Sequence, residues 1–326
     1  MTLTFGSLFA GIGGFDLGFE RAGMACKWQV EIDDKCRQVL AYHWPDVDRS
    51  VTDVTAAGKR NLEPVDVICG GFPCQDVSVA GKREGLSGKR SGLWFQFHRV
   101  LAELKPRWVV VENVPGLLSS NGGRDFAAIL RGLVKLGYGV CWRVLDAQFA
   151  GVPQRRRRVF IVGSLGGGRA AEVLFESEGS AWNPAPSREA GERVTGSLAP
   201  GAHPGGITQQ EVSSGGNDGG FRTGPGEHVV IALDWQSGGD VRLNISDEHT
   251  SALQASQTPA IAFIAGGFGV RRLTPRECER LQGFPDDWTL VGDMKDSPRY
   301  RMLGNAVAVP CAGWIGRRIM EVEAQP

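Results

Sequence analysis

Over residues 1–163 short apolar runs alternate with stretches of helical spacing, and this alternation restricts the fold more than any other feature of the chain. "TFGSLFAG", "KWQVEID", "VDVICGG", "RWVVVENV" and "RRVFIVG" read as strands, each bounded by Gly, Pro or polar residues. Between them, "GGFDLGFERAG", "DDKCRQVLAYHW", "GLWFQFHRVLAEL" and "GRDFAAILRGLVKLG" carry apolar residues at helical intervals. Strands alternating with helices predict an α/β fold built on a parallel sheet with helices on both faces. Such sheets bind ligands beyond the carboxyl ends of their strands. Gly11, Glu31, Cys74 and Glu112 each end, or just follow, a predicted strand.

The character changes near Ser164. From there to about Gly269 the chain is rich in Gly, Ser, Thr and Pro. Residues 176–226 read as a linker or flexible insert. "HVVIALDW", "VRLNIS" and "AIAFIAGGF" point to a small, loop-rich β domain. The expected division is 1–164, 165–270, 271–300 and 301–326. "LTPRECERLQGFPDDW" opens a helix with a Thr cap and a Pro, and "NAVAVPCAGWIGRRIMEVEA" is a final helix interrupted or preceded by Pro310.

The 36 basic and 36 acidic residues balance, so a polyanion site must come from local clustering. Seven cysteines without a CxxC pair fit a reducing compartment and argue against a disulfide scaffold or zinc site. The glycine-broken start is no signal peptide, and no apolar run reaches the roughly 18 residues that span a bilayer. A cytoplasmic protein with no membrane association and no metal is expected.

Four motifs carry chemistry. In "FAGIGGF", Gly11, Gly13 and Gly14 let the backbone approach a ligand, or form only a tight turn. Glu31, about 20 residues on, stands where an acidic residue binds ribose hydroxyls. Asp53 in "VTDVT" suits an adenine amino group or is a surface carboxylate. In "GGFPCQ", Cys74 sits between an apolar run and a loop carrying Lys82, Arg83, Lys89 and Arg90. Those cations favour the thiolate form of a thiol whose ordinary pKa is about 8.5. Cys26, Cys36, Cys69, Cys141, Cys278 and Cys311 lie in apolar or helical settings and read as packing residues. Glu112 in "VVVENVPG" ends a strongly apolar strand, which suits a proton donor of raised pKa or a helix-capping or salt-bridged structural carboxylate. In "PQRRRRVFIVG", strand alternation sends Arg156 and Arg158 to one face and Arg155 and Arg157 to the other.

Taken in order, "SLFAGIGGF", "EID", "TDV", "GGFPCQ", "ENV", "QRRRRVFIVG", "RRLTPRECERLQGFP" and "LGNAV" resemble the DNA cytosine-C5 methyltransferase family across residues 3–163 and 271–316. The resemblance implies a Rossmann-like methyltransferase sheet with a target-recognition domain inserted at 165–270. It implies methyl transfer from S-adenosylmethionine, leaving S-adenosylhomocysteine, to C5 of a cytosine flipped out of double-stranded DNA. By the same resemblance Cys74 attacks C6, Glu112 meets N3 and the exocyclic amine, Arg158 contacts O2 and Arg156 supports Arg158 and the loop. Phe9, Gly11, Glu31, Ile32, Asp53, Leu93, Asn305 and Val307 would line the cofactor site, with Lys82, Arg83, Lys89 and Arg90 on DNA phosphates.

Ser7, Val77 and Ala80 depart from residues common in such sequences at those positions; none removes a catalytic group. The expected setting is a monomer in a restriction–modification pair with a separate endonuclease, or a solitary phage or mobile-element enzyme. The alternatives are a transfer-RNA cytosine-C5 methyltransferase and a silent cofactor-binding regulator. A nicotinamide dehydrogenase would share the glycine turn and Glu31 but explain neither "PCQ" nor "ENV".

Overall fold

The first apolar run forms strand β1, Thr4–Leu8, and leads through a glycine turn into helix α1, Gly14–Arg21. Strand β2, Ala25–Val30, follows, then α2, Asp34–His43, whose first turn is capped by the Asp33 carboxylate accepting from Lys35 N and Cys36 N. Next come β3, Val67–Gly70; α3, Leu93–Leu104; β4, Trp108–Asn113; and α4, Arg124–Lys135. The computed structural model describes residues 2–73, 92–175, 229–233, 250–251, 260–264 and 268–325. Cys74, Lys82, Arg83, Lys89, Arg90, the departures Val77 and Ala80, and the 176–226 segment lie outside them.

Strands β5, Tyr138–Asp146, and β7, Arg157–Leu165, complete a sheet of order β2-β1-β3-β4-β7-β5. β1 to β4 pair in parallel, but β7 runs antiparallel to both β4 and β5. The wholly parallel sheet expected from the alternation is corrected here. Between β5 and β7 stand only a short 3₁₀ turn, Ala147–Ala150, and the two-residue strand β6, Gln154–Arg155. A parallel return needs a crossover of a dozen or more residues, usually helical, so this connection must reverse the chain.

Side chains alternate across the sheet. Trp108 and Val110 of β4 enter one core with Phe15 and Phe19 of α1, whereas Val109 and Val111 enter another with Trp94 and Phe97 of α3 and Ile129 and Leu133 of α4. Helices therefore cover both faces.

After the short helix α5, Ala170–Leu174, the described residues resume in β8, Val229–Leu233. With β10, Ala260–Ile264, and β11, Phe268–Arg272, it makes an antiparallel sheet; β9, Thr250–Ser251, pairs with β6. Helix α6, Pro275–Gln282, begins as its sequence predicts, with a Thr274–Glu277 capping box and Pro275 in the first turn. Helix α7, Asp296–Asn305, has no counterpart among the elements expected from the sequence. Helix α8, Val309–Ala324, carries Pro310 in its first turn and runs on unbroken, packing Cys311, Ala312, Ile315 and Ile319 into the core beside α1.

A third core joins Ala10 and Ile12 of the glycine turn and Val39, Leu40 and Trp44 of the α2 region to Leu281, Phe284, Trp288, Met302 and Leu303. The last part of the chain is thereby seated against the first.

Candidate active site

Glu112 is the penultimate residue of β4, at the strand's carboxyl end, and is 8% exposed. Opposite it in the antiparallel register stands Phe160, so Arg158, two residues away, projects from the same face as a diagonal neighbour. Arg158 Nε lies 3.0 Å from Glu112 Oε1. Burial raises the Glu112 pKa, and Arg158 and Arg156 pull the other way. Of the two readings left open by the sequence, the ion pair is present, and so is the raised proton affinity. They coexist because the carboxylate is desolvated more than the nearby cations compensate.

The loop that leaves β3 passes directly over this carboxylate. A Cβ at Gly71 would stand 2.7 Å from Glu112 Oε2, so only glycine fits there without displacement. Asn113 Nδ2 donates to Phe72 O at 3.3 Å, and Phe72 packs against Trp94. These contacts fix the backbone at Gly71 and Phe72. Asn113, to which the sequence alone assigns no role, ties β4 to that loop.

Arg156 and Arg158 face inward while Arg155 and Arg157 are exposed, as strand alternation predicts. Arg156 is 1% exposed. It donates from Nη2 to Gly304 O at 3.0 Å and Ala306 O at 2.7 Å, bracing the turn that carries Asn305. Gln154, two residues earlier, is fully buried, and its side-chain amide has no hydrogen-bond partner among the described residues.

The second group of predicted residues gathers around the glycine turn. Phe9 and Gly11 both take positive φ, 53° and 59°, which bends the chain sharply off β1. Gly11 N donates to Glu31 Oε2 and Asp33 N to Glu31 Oε1, each at 2.8 Å. Burial raises the Glu31 pKa and these amides lower it. A Cβ at Gly14 would stand 2.4 Å from Val307 O, so α1 starts directly against the Asn305–Val307 turn. Asn305 is exposed and Val307 buried. Ile32, next to Glu31, is 69% exposed.

Phe9 stacks on Phe97 of α3, with ring centroids 6.3 Å apart, and both Phe9 and Leu93 border the second core. Asp53 is half-buried and accepts from Thr55 N at 2.8 Å; among the described residues no hydrogen bond joins it to Glu31. Gly11 has no atom within 4 Å of where a Cβ would stand, and the Glu31 carboxylate, with about four acceptor sites, accepts from the backbone N–H groups of Gly11, Asp33 and Ile32. Open space, spare acceptor capacity and an exposed apolar side chain fit a nucleoside-bearing cofactor. Among the described residues no His, Cys, Asp or Glu cluster suits a metal ion, and no helix is long and apolar enough to cross a membrane.

The family model for the C-5 cytosine-specific DNA methylase matches residues 3–188 and 236–321. The type II methyltransferase M.BsuFI of Bacillus subtilis is 32% identical over 328 residues, covering 99% of this chain and 75% of its own length. The type II methyltransferase M.HpaII of Haemophilus parainfluenzae is 30% identical over 325 residues, covering 98% and 89%. The solved structure of the S. pombe Dnmt2 methyltransferase shares the fold with a TM-score of 0.65 at 16% identity, covering 99% of both chains. That of the Entamoeba histolytica methyltransferase EhMeth does so with a TM-score of 0.63 at 17% identity, covering 99% of this chain and 98% of that one. Both parts of the chain that build the two residue groups are matched, and the protein belongs to the C-5 cytosine-specific DNA methylase family.

Proposed function

We propose that the protein methylates C5 of cytosine within a specific double-stranded DNA sequence, by adding Cys74 to C6 of a base flipped out of the helix. The observation that carries this reading is the buried Glu112–Arg158 pair lying under Gly71, three residues before Cys74. Glu112, whose proton affinity is raised by burial, hydrogen-bonds N3 and the exocyclic amine and so limits negative charge on the ring as Cys74 adds. Arg158 is then released to O2, while Arg156 holds the strand against the Asn305 turn. S-adenosylmethionine supplies an electrophilic methyl group when bound. Phe9, Gly11, Glu31, Ile32, Asp53, Leu93, Asn305 and Val307 hold it, with Glu31 on the ribose. Once C5 carries the methyl group, a water molecule takes the C5 proton, and the C–H electron pair re-forms the C5–C6 double bond as the Cys74 thiolate is expelled, which restores the enzyme.

Residues 165–270 serve as the target-recognition domain. Lys82, Arg83, Lys89 and Arg90 contact phosphates, which position without specifying sequence. Relatives at 30–32% identity are named type II methyltransferases, which supports a cytoplasmic enzyme that protects DNA from a separately acting endonuclease.

The test is nucleoside mass spectrometry of plasmid DNA from a host lacking cytosine methylation, expressing either the protein or its Cys74→Ala variant. 5-Methylcytosine is expected only with Cys74 intact, and bisulfite sequencing of the same plasmid reads the target. Methylation of transfer RNA alone, or of neither nucleic acid, would overturn the assignment.

A further inference from the structure

Ile12 lies in the middle of the glycine turn and is 1% exposed. The indole N–H of Trp288 donates to its carbonyl at 2.9 Å, across 276 residues of sequence. Trp288 is itself held on several sides. Its ring lies parallel to that of His43, with centroids 3.4 Å apart, and His43 Nε2 donates to the Trp288 carbonyl at 2.8 Å. Trp44 meets it edge-on at 5.5 Å and Phe284 packs at the same distance. Trp44 also lies against Gly13, where a Cβ would stand 2.4 Å from its ring. The two indoles therefore brace consecutive residues of the turn, one at Ile12 and one at Gly13.

A turn with positive φ at residues 9, 11 and 13 has little local reason to hold a single shape. We infer that Trp288 is a positioning residue for the methyl donor: through the Ile12 carbonyl it fixes the Ile12–Gly13 peptide, whose N–H donates to Ala10 O at 3.0 Å and so closes the turn that aims the Gly11 N–H at Glu31. This rests on reading Phe9, Gly11 and Glu31 as the donor's site. It goes beyond that reading, because Trp288 stands behind the turn and on the far side of the inserted domain in sequence.

Trp288→Phe keeps a ring for His43 to stack on and deletes the donor N–H, together with part of the indole's packing against Trp44 and Phe284. The comparison variant is Tyr300→Phe. It deletes the Tyr300 hydroxyl bond to Leu273 O, a single side-chain-to-carbonyl bond in the same packed region but away from the turn. Binding of S-adenosylhomocysteine to the full chain is measured by calorimetry, and donor KM and kcat on plasmid DNA at saturating DNA. Trp288→Phe is expected to weaken binding and raise KM about tenfold, with kcat at saturating donor within twofold of the parent. Tyr300→Phe should leave both constants within twofold while lowering the melting temperature. A purely structural contribution would lower the melting temperature in both and move neither constant.

Equal affinity in the parent and Trp288→Phe overturns the inference. Should Trp288→Phe fail to fold, His43→Phe, which keeps the stacked ring and removes the bond to the Trp288 carbonyl, is expected to weaken binding about threefold, and unchanged binding there overturns it equally. A parent protein that binds no S-adenosylhomocysteine at all would overturn the reading of the donor site itself, a result distinct from either of these.

Discussion

Glu112 and Asp16 are both buried carboxylates, yet among the described residues only Glu112 of the two forms a direct ion pair. Asp16, in the first turn of α1, accepts from Ser7 Oγ at 3.2 Å, Gln29 Nε2 at 2.9 Å and Cys26 Sγ at 3.6 Å, all of them neutral donors. Burial outweighs those bonds and lifts its pKa from 3.8 to about 6. The folded state then holds this proton more tightly than the unfolded chain. Its contribution to stability is fully present below about pH 4 and is lost as pH rises through about 6. A difference of about two units corresponds to roughly 3 kcal/mol. Asp16→Asn is expected to flatten that fall and to be the more stable protein at pH 7.5, checked by urea unfolding of both at pH 4.5, 6 and 7.5. At Glu112 the prediction concerns turnover. Glu112→Gln should reduce kcat on the order of 100-fold, the usual contribution of a positioned proton donor, with donor affinity unchanged. Because the protonated form is the useful one, the parent's kcat should fall as pH rises through the raised Glu112 pKa, and the Gln variant should lack that limb.

The close approach of α1 and α8 is made possible by Gly18. A Cβ there would stand 2.6 Å from Ala312 Cβ and 2.7 Å from Gly313 N. Replacing a helical glycine by alanine ordinarily stabilises, but here overpacking of about 1–3 kcal/mol decides the sign. Gly18→Ala should therefore lower the urea midpoint, with donor binding reduced because the Val307 turn at the head of α8 shifts against Gly14. At this scale the sequence was readable wherever burial was one-sided or complete: β1 to β4, β7 and α1 to α4 appear as apolar runs or helical stripes. Strand β5 escaped because its alternation is blurred, with Trp142 44% exposed and Arg143 in mid-strand. Helix α7 escaped because "DSPRYRMLGN" opens on polar residues and offers no broad apolar stripe. The direction of β7 depended on the length of its connection and not on the strand itself. In the site, Glu112 and Arg158 were each legible from their places at strand ends, but their pairing was not, because it depends on β7 lying antiparallel beside β4. Nor was Trp288, since its partner lies 276 residues away and no local pattern encodes that contact.

Across the whole molecule, net charge is zero, so attraction for a polyanion depends on where the cations are placed. Neutralising Lys82, Arg83, Lys89 and Arg90 together is expected to weaken DNA binding for every sequence alike. The log–log salt dependence should flatten by about 0.9 for each phosphate that the loop no longer neutralises, measured by titration between about 50 and 200 mM salt. An unchanged slope would remove this loop from the interface. The match to the family falls in two stretches, 3–188 and 236–321, and the cores explain why both are needed. Residues from α8 fill the core behind α1, and residues from α6, α7 and Trp288 fill the one behind the glycine turn.

This arrangement has a consequence for the order in which the protein is made. The glycine turn is translated well ahead of Trp288 and Val307, which hold it from behind; 276 residues separate Ile12 from Trp288. In the proposed mechanism a nascent chain therefore carries Cys74 and Glu112 long before the turn is held from behind, and a chain interrupted before Trp288 is expected not to methylate DNA.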